Sequence, residues 1–351
     1  MKLFIFGPTG DLVRRKVLPA LQSLDKEMDI WALGRRDFTD EDYSDFVCKG
    51  LCTTEFAKKL KYRKIDLNND DFLEPYFNLF DKNEVNLFYI ALPPDNIKKI
   101  LFTLAKIKSG NIRFRVLIEK PFGENLNDAQ YLRKIILDNK LSEEVYLSDH
   151  YLFKENIVDL TPINFKELKL ISLENVGLEG RNTYYEGVGA LNDMVQSHFF
   201  NIVFKLLENP EEEFDSFEVI DIQRAQYSDG KGESYEKELG KKSETETFVK
   251  MKIKTREKTF EFITGKGFSD KLGILGVDSE KIDLHGGENA YVSLFSHFFE
   301  GRKNKFPSID NSILAWKIIE SIDLNKVPLE FYGRGESSED FLKSTGLINN
   351  N

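Results

Sequence analysis

The chain has 351 residues, of which 41% are hydrophobic, and a formal net charge of −10 at pH 7. This length and apolar content exclude intrinsic disorder and favour two packed domains. The acidic balance speaks against a nucleic-acid-binding surface or an anionic membrane, because both attract net positive charge.

The first half alternates short apolar runs with helical patterns, which predicts a parallel sheet built from βαβ units. Strands are predicted at residues 3–6, 30–33, 86–92, 115–119 and 144–147. Apolar residues at helical spacing follow the first strand, from Val13 to Leu24.

The pattern changes near residue 150. Strands predicted at 168–174, 217–224, 247–255 and 258–263 follow one another with few helices between them. This order favours a mainly antiparallel sheet with helices on one side, the helices being predicted at 190–207, 290–301 and 313–322. No run of about 18 apolar residues occurs, so no membrane span is expected.

Cys48 and Cys52 are the two cysteines, four residues apart with no histidine nearby. This spacing suits neither a zinc site nor a disulfide framework, and we therefore expect a reducing, cytoplasmic compartment. The apolar run at the N-terminus is too short for a signal peptide. We expect no metal, since His285, His297 and the cysteines lack the clustered spacing of metal ligands.

The loop after the first strand has the sequence Gly7-Pro8-Thr9-Gly10-Asp11-Leu12. A glycine loop that opens a helix presents backbone N–H groups and the positive end of the helix dipole, which suit a pyrophosphate. Its spacing departs from G-x-G-x-x-G, because two residues separate the glycines and Val13 occupies the place of a third small residue. An ordinary strand-to-helix turn is therefore an alternative. As a cofactor loop, it would use Thr9 and Asp11 for polar contacts.

Arg35 and Arg36 follow the second predicted strand. A carboxylate at this place would bind the ribose 2′-hydroxyl of NAD, whereas guanidinium groups suit a 2′-phosphate. NADP is therefore favoured and NAD remains possible, since exposed arginines can also serve only for solubility.

Two polar clusters carry candidate catalytic groups. Residues 149–154 combine a carboxylate, an imidazole, a phenol and an ammonium, of which three can donate hydrogen bonds to a phosphate. The second cluster, in the helix predicted at 190–207, contains Asp193 and His198. His198 could act as a general base towards a sugar hydroxyl, and a carboxylate such as Asp149 could orient its ring.

Four motifs in this order resemble the glucose-6-phosphate dehydrogenase family. They are Gly7-Pro8-Thr9-Gly10-Asp11-Leu12-Val13, Glu119-Lys120-Pro121-Phe122-Gly123, Asp149-His150-Tyr151-Leu152-Phe153-Lys154-Glu155 and Asp193-Met194-Val195-Gln196-Ser197-His198. Further similar segments extend the resemblance through most of the chain: Ala91-Leu92-Pro93-Pro94, Gly177-Leu178-Glu179-Gly180-Arg181, Ser243-Glu244-Thr245-Glu246-Thr247-Phe248 and Thr264-Gly265-Lys266.

The resemblance implies that His198 takes the proton from the anomeric hydroxyl and that Asp149 is its carboxylate partner, the product being a 6-phospholactone. The substrate-binding residues that it implies are Lys120, His150, Tyr151, Lys154, Glu174, Asp193, Lys266 and Lys271. The cofactor-binding residues expected are Gly7, Pro8, Thr9, Gly10, Asp11, Leu12, Arg35, Arg36, Ala91, Leu92, Pro93, Pro94 and Lys120. The Lys120–Pro121 bond is expected to be cis.

The chain also departs from the family pattern. Phe153 replaces a glycine and Ser197 replaces an asparagine, and either change could alter which sugar phosphate fits. Few residues separate Lys271 from Gly287, where family members have a longer block of strands. The resemblance therefore implies a reduced sheet, no structural NADP site, and a homodimer that is altered or absent.

We therefore predict an α/β Rossmann dinucleotide-binding domain at residues 1–149 and a reduced, mainly antiparallel β+α substrate domain at 150–351. The predicted function is oxidation of glucose 6-phosphate with NADP. The alternatives are a dehydrogenase for another aldose 6-phosphate and a non-catalytic sensor of sugar phosphate and NADP. A small-molecule substrate is expected, and neither nucleic acid nor membrane is an expected partner.

Overall fold

The computed structural model describes residues 1–284 and 289–344. The chain divides into two compact units, one formed by residues 1–153 with 288–313 and the other by 154–287 with 314–351. The domain boundary after residue 149 stays a prediction. The segment at 288–313 returns to the first unit, because the apolar face of helix Ala290–Glu300 packs there on Tyr89 and Tyr146.

The first unit contains a six-stranded parallel sheet in the order β3-β2-β1-β4-β5-β6. The strands are β1 Lys2–Phe6, β2 Asp29–Gly34, β3 Leu60–Lys64, β4 Asn86–Ile90, β5 Phe114–Ile118 and β6 Val145–Leu147. β1 pairs with β2 on one side and β4 on the other, so the order of the chain reverses at β1. In open α/β sheets, ligands bind beyond the carboxyl ends of the strands at such a reversal.

Helices flank these strands along the chain. The α-helices of the first unit are Leu18–Ser23, Asp40–Cys48, Thr54–Lys59, Pro94–Ser109, Leu126–Asp138 and Ala290–Glu300. Shorter turns occupy Val13–Val17, which is π-helical, and Glu74–Leu79, His150–Phe153 and Lys303–Lys305, which are 3₁₀-helical. Thr39 begins helix Asp40–Cys48 with a capping box, in which its hydroxyl accepts from the Asp42 amide.

The second unit contains a seven-stranded mixed sheet in the order β12-β11-β7-β10-β9-β8-β13. Its strands are β7 Glu167–Leu173, β8 Glu218–Ser228, β9 Phe248–Lys254, β10 Thr259–Gly265, β11 Leu272–Val277, β12 Glu280–Asp283 and β13 Leu329–Gly333. The pairings of β7 with β10 and of β8 with β13 are parallel, and the other neighbours are antiparallel. The predicted α/β plus mainly antiparallel α+β fold class is confirmed.

The helices of the second unit are short, except for Ile309–Glu320, which contains the boundary between the two units after Ile313. The α-helices are Glu155–Val158, Asn182–Glu186, Phe200–Leu206, Pro210–Glu213, Tyr235–Leu239, Ile309–Glu320 and Ser338–Ser344, and Leu324–Lys326 is a 3₁₀ turn. The helix predicted at 190–207 begins as a π-helix, Leu191–Phe199. There the Ser197 hydroxyl donates to the carbonyls of Asn192 and Asp193, at 3.1 and 2.6 Å, so it bonds within the widened turn.

The expectation that the cysteines form no disulfide was wrong, because Cys48 and Cys52 are bonded to each other. Helix Asp40–Cys48 ends at the first cysteine, and Lys49 and Gly50 both adopt left-handed backbone angles. This turn brings the two Cα atoms to 5.1 Å, within the ordinary range for a disulfide. The cysteine spacing therefore gives no support to a reducing compartment.

Across residues 1–284 and 289–344, no helix is both long enough and apolar enough to span a bilayer.

Candidate active site

The Gly7–Leu12 loop begins where β1 ends, beside the end of β4. Gly7 has φ +77°, and a Cβ there would lie 2.3 Å from the Ala91 carbonyl oxygen. The Gly10 amide donates to the Gly7 carbonyl at 3.1 Å, and the Arg14 amide donates to the Gly10 carbonyl at 3.2 Å. The loop is therefore a tight turn into a helix at the strand reversal, as a pyrophosphate site requires.

A buried tyrosine that no sequence motif indicates holds this loop. Tyr43 donates its hydroxyl hydrogen to the Pro8 carbonyl at 3.1 Å. Burial raises the pKa of Tyr43, so the phenol remains a neutral donor. Gly34 is also tightly packed here, since a Cβ would lie 2.9 Å from the Tyr62 hydroxyl and 3.2 Å from Pro8 Cγ.

The other loop residues differ in exposure. Thr9 and Leu12 are half-buried, whereas Asp11 is exposed and forms an ion pair with Arg15 at 3.3 Å. Asp11 therefore already has a cationic partner, and Thr9 is the less exposed of the two predicted polar contacts.

Arg35 and Arg36 are exposed after β2. The guanidinium carbon of Arg36 lies 4.9 Å from the centre of the Phe46 ring, and that of Arg14 lies 5.3 Å from the same centre. Within the described residues, no carboxylate forms an ion pair with these three arginines. The guanidinium groups of Arg14 and Arg36 therefore both lie over Phe46 without a carboxylate partner among the described residues. This arrangement suits a 2′-phosphate.

Residues 91–94 lead from β4 into helix Pro94–Ser109. The Ala91 amide donates to the Phe6 carbonyl at 3.1 Å, which extends the pairing of β1 and β4 towards the loop. Leu92 is half-buried, Pro93 is exposed and Pro94 is buried in the first turn of the helix. The structure therefore places Ala91 directly against Gly7, as a shared cofactor site requires.

The expected cis peptide bond between Lys120 and Pro121 is present. The buried Glu119 carboxylate accepts hydrogen bonds from the Tyr89 hydroxyl and the Ser148 hydroxyl, each at 2.8 Å, and from the Lys120 amide at 3.3 Å. Burial raises the pKa of Glu119, although the Tyr89 and Ser148 donors oppose this rise. Glu119 therefore fixes the backbone from which the half-buried Lys120 projects.

The residues after β6 form a compact group. Asp149 is buried and accepts from the Tyr151 amide at 2.9 Å. The half-buried His150 ring stacks on Tyr291 at 5.4 Å, with 16° between the planes. Phe153 is buried against Phe306, with ring centres 4.7 Å apart, so this departure from the family pattern is a core residue.

The second unit holds a buried ion cluster of Lys266, Glu174 and Asp193. The Lys266 ammonium contacts the Glu174 carboxylate and lies 3.5 Å from the Asp193 carboxylate. The side chains of Lys266 and Asp193 are 5% and 8% exposed, and that of Glu174 is 28% exposed. The Lys266 ammonium also lies 5.3 Å from the centre of the Tyr185 ring.

The electrostatics of this cluster favour an ionised Glu174 carboxylate. Burial raises the pKa of Glu174, but the neighbouring Lys266 ammonium outweighs it, and the net pKa of Glu174 is lowered. Burial also raises the pKa of Tyr185 well above its ordinary value, and nearby carboxylates add to this. The cluster thus offers hydrogen-bond acceptors at neutral pH, as sugar hydroxyls require.

Three further predicted residues lie in the second unit. His198 is 1% exposed and lies one turn beyond Asp193 in the π-helix Leu191–Phe199. Lys154 is half-buried and donates to the Leu284 carbonyl at 2.6 Å, whereas Lys271 is exposed just before β11. Asp149 belongs to the first unit and His198 to the second, so their pairing stays a prediction. His285 lies outside the described residues.

Comparison with protein families gives two matches, which together cover residues 4–223. Residues 4–159 match the model of the glucose-6-phosphate dehydrogenase NAD binding domain. Residues 160–223 match the model of the C-terminal domain of the same family.

Individual proteins give the same result. Glucose-6-phosphate 1-dehydrogenase of Buchnera aphidicola subsp. Schizaphis graminum is 30% identical over 97% of this chain and 80% of its own length. The enzyme of that name from Chlamydia pneumoniae is 28% identical, and the match covers 71% of this chain and 62% of that relative's length.

A solved structure of glucose-6-phosphate dehydrogenase in complex with its substrate glucose-6-phosphate has a TM-score of 0.79 at 20% identity, covering 100% of this chain and 98% of that one. This similarity concerns the fold. Together with the two family models and the relative that is 30% identical, it leads to one assignment. The chain belongs to the glucose-6-phosphate dehydrogenase family.

Proposed function

We propose that this chain is an NADP-dependent dehydrogenase that oxidises glucose 6-phosphate at C1 to 6-phospho-glucono-1,5-lactone. The observation that carries the proposal is the buried cluster of Glu174, Lys266 and Asp193, in the same unit as His198. This cluster offers two carboxylates as acceptors to sugar hydroxyls, and the His198 imidazole lies in the same π-helix as one of them, Asp193.

The first unit fits the cofactor by two tests. The Gly7 position has no room for a Cβ because the turn packs against the Ala91 carbonyl, and a glycine in such a strand-to-helix turn is typical of a dinucleotide-binding loop. Arg14 and Arg36 share the Phe46 ring and form no ion pair among the described residues, which suits the 2′-phosphate. When bound, NADP supplies the hydride acceptor.

His198 has the central chemical role in this proposal. Its imidazole takes the proton of the C1 hydroxyl as the C1–H bond breaks and the carbonyl forms. Asp149 orients the ring and stabilises the imidazolium that results. Glu174 and Asp193 accept hydrogen bonds from ring hydroxyls, and the Lys266 ammonium lowers the pKa of Glu174 and so favours its ionised form.

The phosphate requires donors rather than acceptors. We assign this role to His150, Tyr151, Lys154 and Lys271, whose side chains supply imidazole, phenol and ammonium donors. Stacking on Tyr291 orients the His150 ring for this purpose. Lys120 binds both the cofactor and the sugar, and Glu119 holds its backbone.

The test is the absorbance of reduced nicotinamide with glucose 6-phosphate and NADP. We expect turnover. If pure, folded protein shows no turnover, the proposal is refuted. His198→Asn should lower kcat by about 10²–10⁴-fold with little change in KM, because a lost base acts on the barrier. His297→Asn is the matched control, since His297 lies on helix Ala290–Glu300 outside the proposed machinery.

Two residues that depart from the family pattern, Phe153 and Ser197, bear on the choice of sugar, and both are buried. Phe153 is buried in the aromatic core, and the Ser197 hydroxyl is engaged with two helix carbonyls. Neither position favours a different aldose 6-phosphate over glucose 6-phosphate. A panel of sugar phosphates compared by kcat/KM checks this preference, and a higher value for another aldose would reassign the substrate.

We also infer a cytoplasmic location, and a family homodimer that in this chain is either altered or absent. Sedimentation of the purified chain checks the oligomeric state. Thiol titration of protein taken directly from reducing cytosol reports whether Cys48 and Cys52 are bonded there.

A further inference from the structure

Glu246 is a buried acid to which the proposed reaction gives no role. It is 5% exposed and lies two residues before β9. Its side-chain Oε1 accepts from the Leu191 amide at 3.0 Å, and its backbone carbonyl accepts from the Ala190 amide at 3.1 Å. Glu246 therefore binds the start of the π-helix Leu191–Phe199 twice.

Gly189 makes room for this carboxylate. It has φ +65°, and a Cβ there would lie 2.3 Å from Glu246 Oε1. The backbone angle favours glycine, and a larger residue would have to displace the Glu246 carboxylate. The turn before the helix is thus shaped around the Glu246 side chain.

A carboxylate in this place addresses two needs of the helix. The first amides of a helix have no partner within it, so they need an acceptor; burial raises the pKa of Glu246, and the Leu191 amide opposes this rise. The π-helical geometry is itself uncommon and depends on local support. Glu246 supplies that support at Leu191, two residues before Asp193 and seven before His198.

The next residue, Thr247, holds the other half of the ion cluster. Its carbonyl accepts from the Lys266 amide at 3.0 Å. Its side-chain oxygen lies 2.9 Å from the Tyr332 hydroxyl, which donates to the Lys266 carbonyl at 2.6 Å. Consecutive residues therefore hold the backbone of Lys266 and the helix that carries Asp193.

The segment that contains these residues is itself braced. The buried Gln226 side chain donates to the carbonyls of Ser243 and Thr245, at 3.1 and 2.9 Å. Arg224 donates to the Glu244 carbonyl at 3.2 Å. A fixed segment can transmit its position to whatever it binds, unlike a free loop.

We propose that Glu246 is a positioning residue, which sets the helix of Asp193 and His198 relative to Lys266 through its bond to the Leu191 amide. It acts through the helix and does not contact the substrate. The inference rests on the proposed function for its effect on catalysis, whereas its effect on the helix is independent of turnover.

The test compares Glu246→Ala, Glu246→Gln and the control Glu244→Ala, an exposed neighbour. Loss of a buried acceptor should raise KM for glucose 6-phosphate and lower kcat in Glu246→Ala, so that kcat/KM falls about tenfold or more, while KM for NADP stays unchanged. Glu246→Gln keeps an oxygen acceptor of the same reach and should recover most of this loss. Glu244→Ala should resemble the parent.

Amide hydrogen exchange measures the helix directly. In Glu246→Ala we expect faster exchange across residues 190–199 and unchanged exchange in helix Ala290–Glu300, with Glu246→Gln close to the parent. Exchange at 190–199 that stays at the parent rate in folded Glu246→Ala would overturn the proposal. So would faster exchange throughout the unit, which marks a merely structural residue.

Two outcomes separate this inference from the proposed function. If the parent shows no turnover, the proposed function fails, and the exchange measurement still decides whether Glu246 positions the helix. If Glu246→Ala does not fold, Gly189→Ala takes its place, because its Cβ must displace the Glu246 carboxylate. That variant should show the same local exchange at 190–199, and normal exchange there would refute the proposal.

Discussion

Lys266→Met should destabilise the second unit. It should also reverse the pH dependence of stability that arises from the ion cluster of Lys266, Glu174 and Asp193. Removing the ammonium leaves the buried Asp193 carboxylate and the partly buried Glu174 carboxylate without their shared cation. Breaking a buried ion pair costs about 3–5 kcal/mol, and the partial exposure of Glu174 favours the lower end. A loss of about 3 kcal/mol corresponds to a fall in Tm of about 6–12 °C for a unit of this size.

The sign of the pH effect follows from Glu174. In the parent the folded pKa of Glu174 is lowered, so its contribution to stability is present above the unfolded pKa and is lost as the pH falls through the folded pKa. Without Lys266, burial raises the folded pKa instead, so stability is lost as the pH rises. The difference in unfolding free energy between parent and variant should therefore be largest near neutrality and shrink towards about pH 4.

Thermal and urea unfolding across this pH range provide the assay. Lys242→Met is the control, because Lys242 forms an exposed pair with Glu236 and should change stability by less than about 1 kcal/mol. A Lys266→Met variant as stable as the parent at neutral pH would refute the reasoning. A stability difference that stays constant on acidification would refute the assigned role of Glu174.

Three further predictions concern the first unit. Gly7→Ala should weaken NADP binding about tenfold or more, because its Cβ would lie 2.3 Å from the Ala91 oxygen; unchanged binding by calorimetry contradicts this. Arg36→Ala should raise the Kd for NADP about tenfold and leave that for NAD unchanged, and equal effects on both would exclude a 2′-phosphate contact. Tyr89→Phe removes a donor from the buried Glu119 carboxylate and should cost about 1–3 kcal/mol in urea unfolding at neutral pH, less in acid, where protonated Glu119 needs no donor.

Strands buried on both faces could be predicted from the sequence because they are continuous apolar runs. β1 and β4 are examples, since Leu3, Phe4, Leu87 and Phe88 are all fully buried or nearly so. The glycine loop was predictable for a related reason, because a turn between a buried strand and a helix restricts residue type locally.

Edge strands were missed because their sequences lack that signal. β3, with Lys61, Arg63 and Lys64, alternates apolar and charged residues, and β12 is short and largely exposed. β13 exposes Phe331 and pairs in parallel with β8, about a hundred residues earlier. Such pairings depend on the tertiary fold and leave little local pattern.

The residues that support the site were also missed, since each acts on a distant part of the chain. Tyr43 holds Pro8 across 35 residues, and Glu246 holds Leu191 across 55. A sequence motif reports residues that touch a ligand, because their types are restricted by its chemistry. A supporting residue is restricted by the geometry of its partner, which appears only in the fold.

The charges of the cluster in the second unit determine which end of the substrate it can accept. Two carboxylates, Glu174 and Asp193, face one ammonium, Lys266, so the three groups carry a formal charge of −1. A phosphate dianion would be repelled by this charge in a partly dehydrated environment, whereas neutral hydroxyls find acceptors there. The proposed function therefore places the sugar ring at this cluster and the phosphate at the cationic residues Lys154 and Lys271. A sugar bound in this orientation presents its hydroxyls, rather than its phosphate, to the helix that carries His198.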